Sequence, residues 1–348
     1  MKKILYMSVI AALAIVSCAK DSTTEVNKGR AIDFRVAATR TTEPVTTENL
    51  ENIWVTAVGE SGKNHFSKVN FTKNGSYFTT DNEYYWPSDG SNLTFYAYAP
   101  ANVDANVPGS ESLTLDATAQ KMAGFSPAES IKDQIDFVFA VETGNKDDAE
   151  NGVELVFDHA LTQVQINAFS NNTGYKHLIK GLRIGQVVSK GDFDFNFMTW
   201  DLAREKSDYE IIFDDPIELS SEKQSLMGDE GNAMLIPQRL VPWDFANDPK
   251  NVNQGTYFAV LLNVTTAAGA IVFPATAGGY EWVASTFDTE WVRGFKYVYN
   301  LDFTNGAGYT APDIDGGGES VMGERFRSII LYIVGALMEL WMLILKCR

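Results

Sequence analysis

Between residues 31 and 304 apolar positions recur in short bursts rather than at helical spacing. Residues 31–36 (AIDFRV) alternate apolar with polar, the pattern of a strand with one buried face. Comparable runs occupy 53–58, 77–79, 93–98, 136–141, 153–157 and 163–169. They continue at 182–188, 193–197, 209–213, 234–236, 256–264, 270–273 and 296–303. Turn chemistry separates them: Asn74-Gly75, Asp89-Gly90, Asn151-Gly152 and Asn305-Gly306 all accept the positive φ of a tight reversal. No stretch before residue 325 sustains a helical repeat. The spacing predicts an all-β chain of two sandwiches, one over 31–157 and one over 158–312, divided after the acidic loop 145–150.

The first segment has a different pattern. Met1-Lys2-Lys3 is followed by an apolar run, 4–16, broken only by Ser8 and shorter than the ~20 residues a spanning helix needs. It ends at Ile15-Val16-Ser17-Cys18, which looks like a bacterial lipobox. Residues 1–17 therefore read as a lipoprotein signal peptide and Cys18 as the acylated residue; the alternative is an ordinary signal peptide with an incidental Cys. Two acyl groups on one cysteine supply the double anchor that stable membrane attachment requires. Residues 18–30 are a polar tether, and 37–47 a Thr-rich loop around Glu43-Pro44.

Composition narrows the classes of function. Across 348 residues, 45 Asp+Glu outweigh 28 Lys+Arg for a net charge of −17, which argues against a nucleic-acid partner. The 2 Cys, at 18 and 347, cannot form a disulfide framework or a Cys-based zinc site. His65, His159 and His177 show no convergent spacing and read as hydrogen-bonded or exposed structural residues; no metal site and no cofactor is expected. Asp192, Asp194 and Asn196 alternate along one strand face, and Asp313-x-Asp315-Gly316 resembles the start of a calcium loop without its later ligands. Both read better as solvated faces than as cation sites. No nucleophile elbow, P-loop or H-E-x-x-H is present, and nothing selects a catalytic pair among the acids, so no enzyme activity is expected. The aromatics Tyr84, Tyr85, Trp86, Trp200, Trp243, Trp282 and Trp291 cluster near strand ends. They either cap sandwich cores, the favoured reading, or stack on sugar rings.

Several stretches together resemble the Bacteroidales-type fimbrillins, lipoprotein-derived subunits of surface fimbriae. They are YYWP at 84–87, LTFYAYAP at 93–100, DFVFA at 136–140, LVFDHALTQV at 155–164, GDF at 191–193, MLIPQ at 234–238 and WVRGFKYVYNL at 291–301. The resemblance implies two tandem transthyretin-like β-sandwich domains and no catalytic site. It also implies export to the outer membrane through a lipid anchor, then cleavage by an Arg-specific protease that releases the first strand. A neighbouring subunit's C-terminal strand then fills the vacated groove by β-augmentation. Carried onto this chain, the removable strand is Ala31, Ile32, Asp33, Phe34, Arg35 and Val36. The cleavage bond follows Arg40, with Arg30 and Arg35 as second choices. Partners are then other fimbrial subunits and host or bacterial surface ligands. A monomeric surface lipoprotein binding glycans through exposed aromatics is the alternative.

The C-terminal end departs from the family. Residues 313–320 (DIDGGGES) form a linker, and 329–345 are apolar except for Glu339, with neither strand alternation nor an amphipathic stripe. Residues 325–348 read as a frameshifted tail, a membrane or partner helix, or an unusual donor segment, the first being favoured. At the other end, Cys18→Ala is expected to abolish palmitate labelling; labelling that persists would remove the lipoprotein assignment.

Overall fold

The computed structural model describes residues 31–37, 50–101, 113–116, 118–228, 231–311 and 327–333. The signal segment, Cys18, the tether with Arg30, Arg40 and its loop, Asp313, Asp315 and residues 334–348 lie outside the described residues.

The first half contributes β1 (Phe34–Ala37), β2 (Asn52–Gly59), β3 (Asn64–Asn74), β4 (Tyr77–Thr79) and β5 (Leu93–Ala99). It continues with β6 (Leu113–Leu115), β7 (Gln120–Phe125), β8 (Val138–Gly144), β9 (Val153–Val156) and β10 (Asp158–His159). All but β6 and β7 join one eight-stranded sheet in the order β10-β8-β5-β2-β3-β4-β1-β9. In a flat sheet β1 and β5, four strands apart, would stand roughly 19 Å from one another. Yet the Phe34 ring of β1 lies 5.1 Å from Phe95 of β5, and 4.8 Å from Phe71 of β3. The sheet therefore curls over itself, and its inward face encloses Ile53, Val55, Phe71, Phe95, Val138 and Leu155 around Phe34.

The second half supplies β11 (Thr162–Phe169), β12 (Tyr175–Val188), β13 (Gly191–Asp194), β14 (Thr199–Leu202), β15 (Lys206–Glu218) and β16 (Gln224–Ser225). Then come β17 (Ala233–Leu235), β18 (Tyr257–Thr266), β19 (Ile271–Phe273), β20 (Glu281–Thr286), β21 (Lys296–Asp302), β22 (Tyr309–Thr310) and β23 (Arg327–Ile333). One sheet runs β16-β11-β21-β23, with β17 also on β11; the facing sheet runs β15-β12-β18-β20-β22, with β19 on β18. Val164, Ile166, Tyr297, Tyr299 and Leu301 of the first layer pack on Ile179, Leu182, Phe258, Val260 and Val283 of the second. Strand β11 alternates buried and half-exposed residues without a break, which is why its pattern is plain in the sequence. A fourth sheet, β14-β13-β7-β6, crosses between the halves: Gly191 and Phe193 of β13 pair with Phe125 and Met122 of β7.

The all-β reading holds, with local departures. Strand β3 escaped the pattern because its two core residues, Phe66 and Phe71, are five apart and would face opposite sides of a regular strand. A bulge corrects this. Thr56 of β2 lies opposite two residues, Lys68 takes φ 47°, and its N–H donates to Thr56 Oγ1 at 2.9 Å. The expected strand at 193–197 stops at Asp194, whose carboxylate accepts the N–H groups of Asn196 and Phe197 and turns the chain. Asn196 consequently sits in a turn rather than on a shared strand face with Asp192 and Asp194. The tail also differs: residues 327–333 form an antiparallel strand on β21, in register from Asp302↔Arg327 to Lys296↔Ile333. A continuous apolar run is compatible with a strand once a sheet edge supplies its backbone partners.

His177, expected in a polar connection, lies within β12 and is 2% exposed. Burial pushes its imidazole down to about 4. The unfolded chain binds this proton from about pH 6.5 downward while the fold does not. Stability is therefore full above that value and is lost as pH falls toward 4, by roughly 3 kcal/mol from this residue. In urea titrations, His177→Gln is expected to flatten the pH dependence between 6.5 and 4; an unchanged slope would assign the acid lability elsewhere.

Candidate functional site

The segment 31–36 is built into the first core rather than laid on it. Ala31 bridges to Tyr85, and the Ile32 N–H donates to the Tyr84 carbonyl at 2.7 Å. The Asp33 carbonyl accepts from Val153 N–H at 3.0 Å, and Phe34–Ala37 then run parallel to Val153–Val156 while Phe34 faces Phe78 of β4. Strand β1 thus lies between β4 and β9 and carries backbone partners on both flanks. Gly152 makes the close approach possible: at φ 70° it would set a Cβ 3.2 Å from the Asp33 carbonyl and 3.3 Å from the Tyr77 ring. Ile32 and Phe34 are 1% and 0% exposed, each contributing about 1.5–3 kcal/mol of burial. Arg35 points outward to Glu154 at 3.4 Å, and Val36 packs against the core edge.

One residue in this seat is out of character. Asp33 is buried, its Oδ2 meets no hydrogen-bond partner, and Glu83 adds a second negative charge nearby. Burial first, and Glu83 second, push its carboxyl up to about 6. Beside it, Tyr85 hydroxyl donates to Glu83 and His65 Nε2 donates to the Tyr85 carbonyl at 2.6 Å.

The FDHAL and WVRGF stretches meet at the junction between the halves. His159 Nδ1 lies 2.6 Å from Asp136 Oδ1, both side chains being at most 5% exposed. Ala160 N–H donates to the Phe137 carbonyl at 2.8 Å, and its own carbonyl accepts from Trp200 Nε1 at 2.8 Å. Gly294 N–H donates to the Leu161 carbonyl at 2.8 Å, while the Arg293 guanidinium sits 5.3 Å from the centre of the Phe139 ring. Within the second stretch Trp291 Nε1 donates to the Tyr299 hydroxyl at 2.8 Å, and Val292 N–H to that of Tyr297 at 3.0 Å. Gln238 of MLIPQ clamps Val188, accepting from its N–H at 2.8 Å and donating to its carbonyl at 3.0 Å. The FDHAL, WVRGF and MLIPQ stretches thus make architectural contacts.

The remaining candidates scatter. His65, His159 and His177 occupy three separate places: beside Tyr85, at the junction and inside the second core. Asp192 holds Lys121 at 2.6 Å and accepts the Gly124 N–H at 2.6 Å, so its carboxylate is engaged by the protein itself. Trp243 and Trp291 are 2% and 1% exposed and cap cores, as favoured, and Trp86 packs edge-on to Phe95 at 5.8 Å. Trp282 carries the Arg183 guanidinium at 4.3 Å. Tyr85, half exposed, stays open to solvent. Asp33 and its neighbour Glu83 were not legible as a pair, since one strand and one loop bring them together; an acid at the centre of an apolar strand was the available signal.

Comparison with known proteins supplies a family. A model described as Fimbrillin-like matches residues 39–316. Fimbrium subunit Fim1C of Phocaeicola vulgatus is 27% identical over 239 residues, spanning 58% of this chain and 63% of its own length. Less than two thirds of that relative is therefore matched. Among solved structures, a fimbrial protein from Bacteroides vulgatus superposes with a TM-score of 0.56 at 18% identity, covering 79% of this chain and 95% of its own. That likeness extends to the fold.

The folded state holds the Asp33 proton to higher pH than the unfolded chain, where an Asp releases it near 3.8. The stabilisation this proton gives is full below 3.8 and is lost as pH rises through about 6. Asp33→Asn, which mimics the protonated acid, is expected to stabilise the protein by about 1 kcal/mol at pH 7.5, after allowance for partial solvation, and negligibly at pH 4. Equal effects at both pH values in chemical denaturation would contradict this.

Proposed function

The chain belongs to the fimbrillin-like family, and on that premise we propose that it is a subunit or accessory pilin of a surface fimbria acting in cell adhesion. In this reading it is a structural protein, exported as an outer-membrane lipoprotein through Cys18 and assembled with other subunits by protease-triggered strand exchange. Tandem transthyretin-like sandwiches, 31–157 and 158–312, form its body, stitched together by the β7–β13 pairing.

The observation that carries the proposal is the position of β1. Its withdrawal would leave β4 and β9 each with an unpaired edge and empty the slot filled by Ile32 and Phe34. Such a slot offers a row of N–H and C=O groups and apolar pockets, the requirements for capturing an extended segment. Arg40 follows β1 closely, so a cut there separates the strand from the rest of the fold. At the far end of the chain β23 pairs with β21 over seven residues, in a segment rich in Ile and Leu. That supports a strand over a helix for residues 327–333, the form a donor segment would take. For the glycan-binding alternative through exposed aromatics, Trp243 and Trp291 are withdrawn by burial, while Tyr85 stays exposed and Tyr84 and Trp86 partly so.

Digestion of the exported protein with an Arg-specific protease is expected to cut after Arg40, release the β1 segment and produce a ladder of oligomers on size-exclusion chromatography. Arg40→Ala should stop both. A cut at Arg40 that leaves the product monomeric would refute assembly by this route.

A further inference from the structure

We infer that the cleft where β4 parts from β3 is a binding site for a neutral saccharide. Strand β3 is long, but β4 pairs only with its last three residues, Thr72↔Thr79, Lys73↔Phe78 and Asn74↔Tyr77. Beyond Thr79 the chain leaves the sheet through Thr80, Asp81 and Asn82 and returns at Tyr84. The parting leaves a cleft of about 610 Å3 along the edge of β3, within the size range of small-molecule sites.

The chemistry of the walls selects the ligand class. Val69 and the half-buried Tyr84 supply apolar surface, the Tyr84 ring being held against Phe66 at 4.7 Å. Around them stand Asn70, Thr72, Asn74, Asp81 and Asn82. The side chains of Asn74, Asp81 and Asn82 hydrogen-bond to no other described residue. Thr72 spends its hydroxyl proton on Asn52 at 3.0 Å and keeps an accepting oxygen. Asn70 makes one long contact to Asn52 at 3.4 Å and retains its carbonyl oxygen.

Planar amides and a carboxylate each present two polar atoms side by side, the spacing that meets adjacent hydroxyls of a sugar ring. A polyhydroxylated ligand with apolar C–H faces uses both kinds of wall. Charge favours a neutral ligand: Lys73 and Asp81 both line the cleft, so an anion meets the carboxylate and a cation meets the ammonium, while Lys73 also leans toward Glu51 at 3.9 Å. The cleft borders the seat of β1, since the Tyr84 carbonyl accepts from Ile32 and β4 flanks Phe34, so the inference concerns the chain with β1 in place and does not depend on strand exchange.

Saturation-transfer NMR and calorimetry on the full exported chain test it, with lactose, maltose and N,N′-diacetylchitobiose as probes and 3′-sialyllactose as the anionic control. At least one neutral disaccharide is expected to bind, more tightly than the sialylated one. Asp81→Ala and Asn82→Ala should each weaken it about tenfold, the loss of one good hydrogen bond, with an unchanged melting temperature. Failure of all three neutral sugars, preference for sialyllactose, or binding that both variants leave intact would each overturn the assignment.

Discussion

An eight-stranded sheet can enclose a core of its own only if its two ends meet, and here the meeting is made by the Phe34 ring. It stands within 5.1 Å of rings from β3 and β5 while its backbone is held between β4 and β9. Phe34, Phe71 and Phe95 thereby meet within the first core. The strand that carries Phe34 is short and lies near one end of the folded region, so most of its hold comes from two apolar side chains and the flanking ladders. The same constraint gives Asp33 its importance, because a carboxyl without a hydrogen-bond partner for Oδ2 sits inside the seat.

The second dependence is on the junction at 157–163. There the Asp136–His159 pair, the Ala160 and Leu161 backbone groups and Arg293 tie strands from both halves to one short segment. The aromatic cluster of Phe137, Phe139, Phe193 and Phe195 fills the space beside it and joins β8, the turn after β13 and β7 into one body. Several of the stretches that resemble the family, DFVFA, LVFDHALTQV and WVRGF, meet at this joint. A joint constrains several elements at once, so few side chains satisfy it, whereas an outward strand face accepts many.

How far the sequence could be read follows from locality. Strand β11 was legible because one face alternates without interruption; β3 was not, because its bulge breaks the period that the eye follows. His177 reads as part of a connection because the mostly polar stretch NNTGYK leads into it, yet the residue is buried within β12. Trp291 and Trp243 were read as core caps, and their burial agrees. What sets Asn70, Thr72 and Asn74 of β3 apart is the departure of β4, which no local pattern records.

The all-β class and the positions of most strands were thus determined by the sequence alone, since alternation and turn residues act over a few neighbours. So too was the extended run within 31–36, although β1 itself begins at Phe34 and Asp33 stands just before it. Only the tertiary structure decided that this strand fills a slot between β4 and β9, that Glu83 faces Asp33, and that residues 327–333 pair with β21. Those facts depend on which sheet edges meet. Edge pairing is made by backbone groups that every residue except proline carries, so side-chain order cannot specify the partner until the whole chain has closed around its cores.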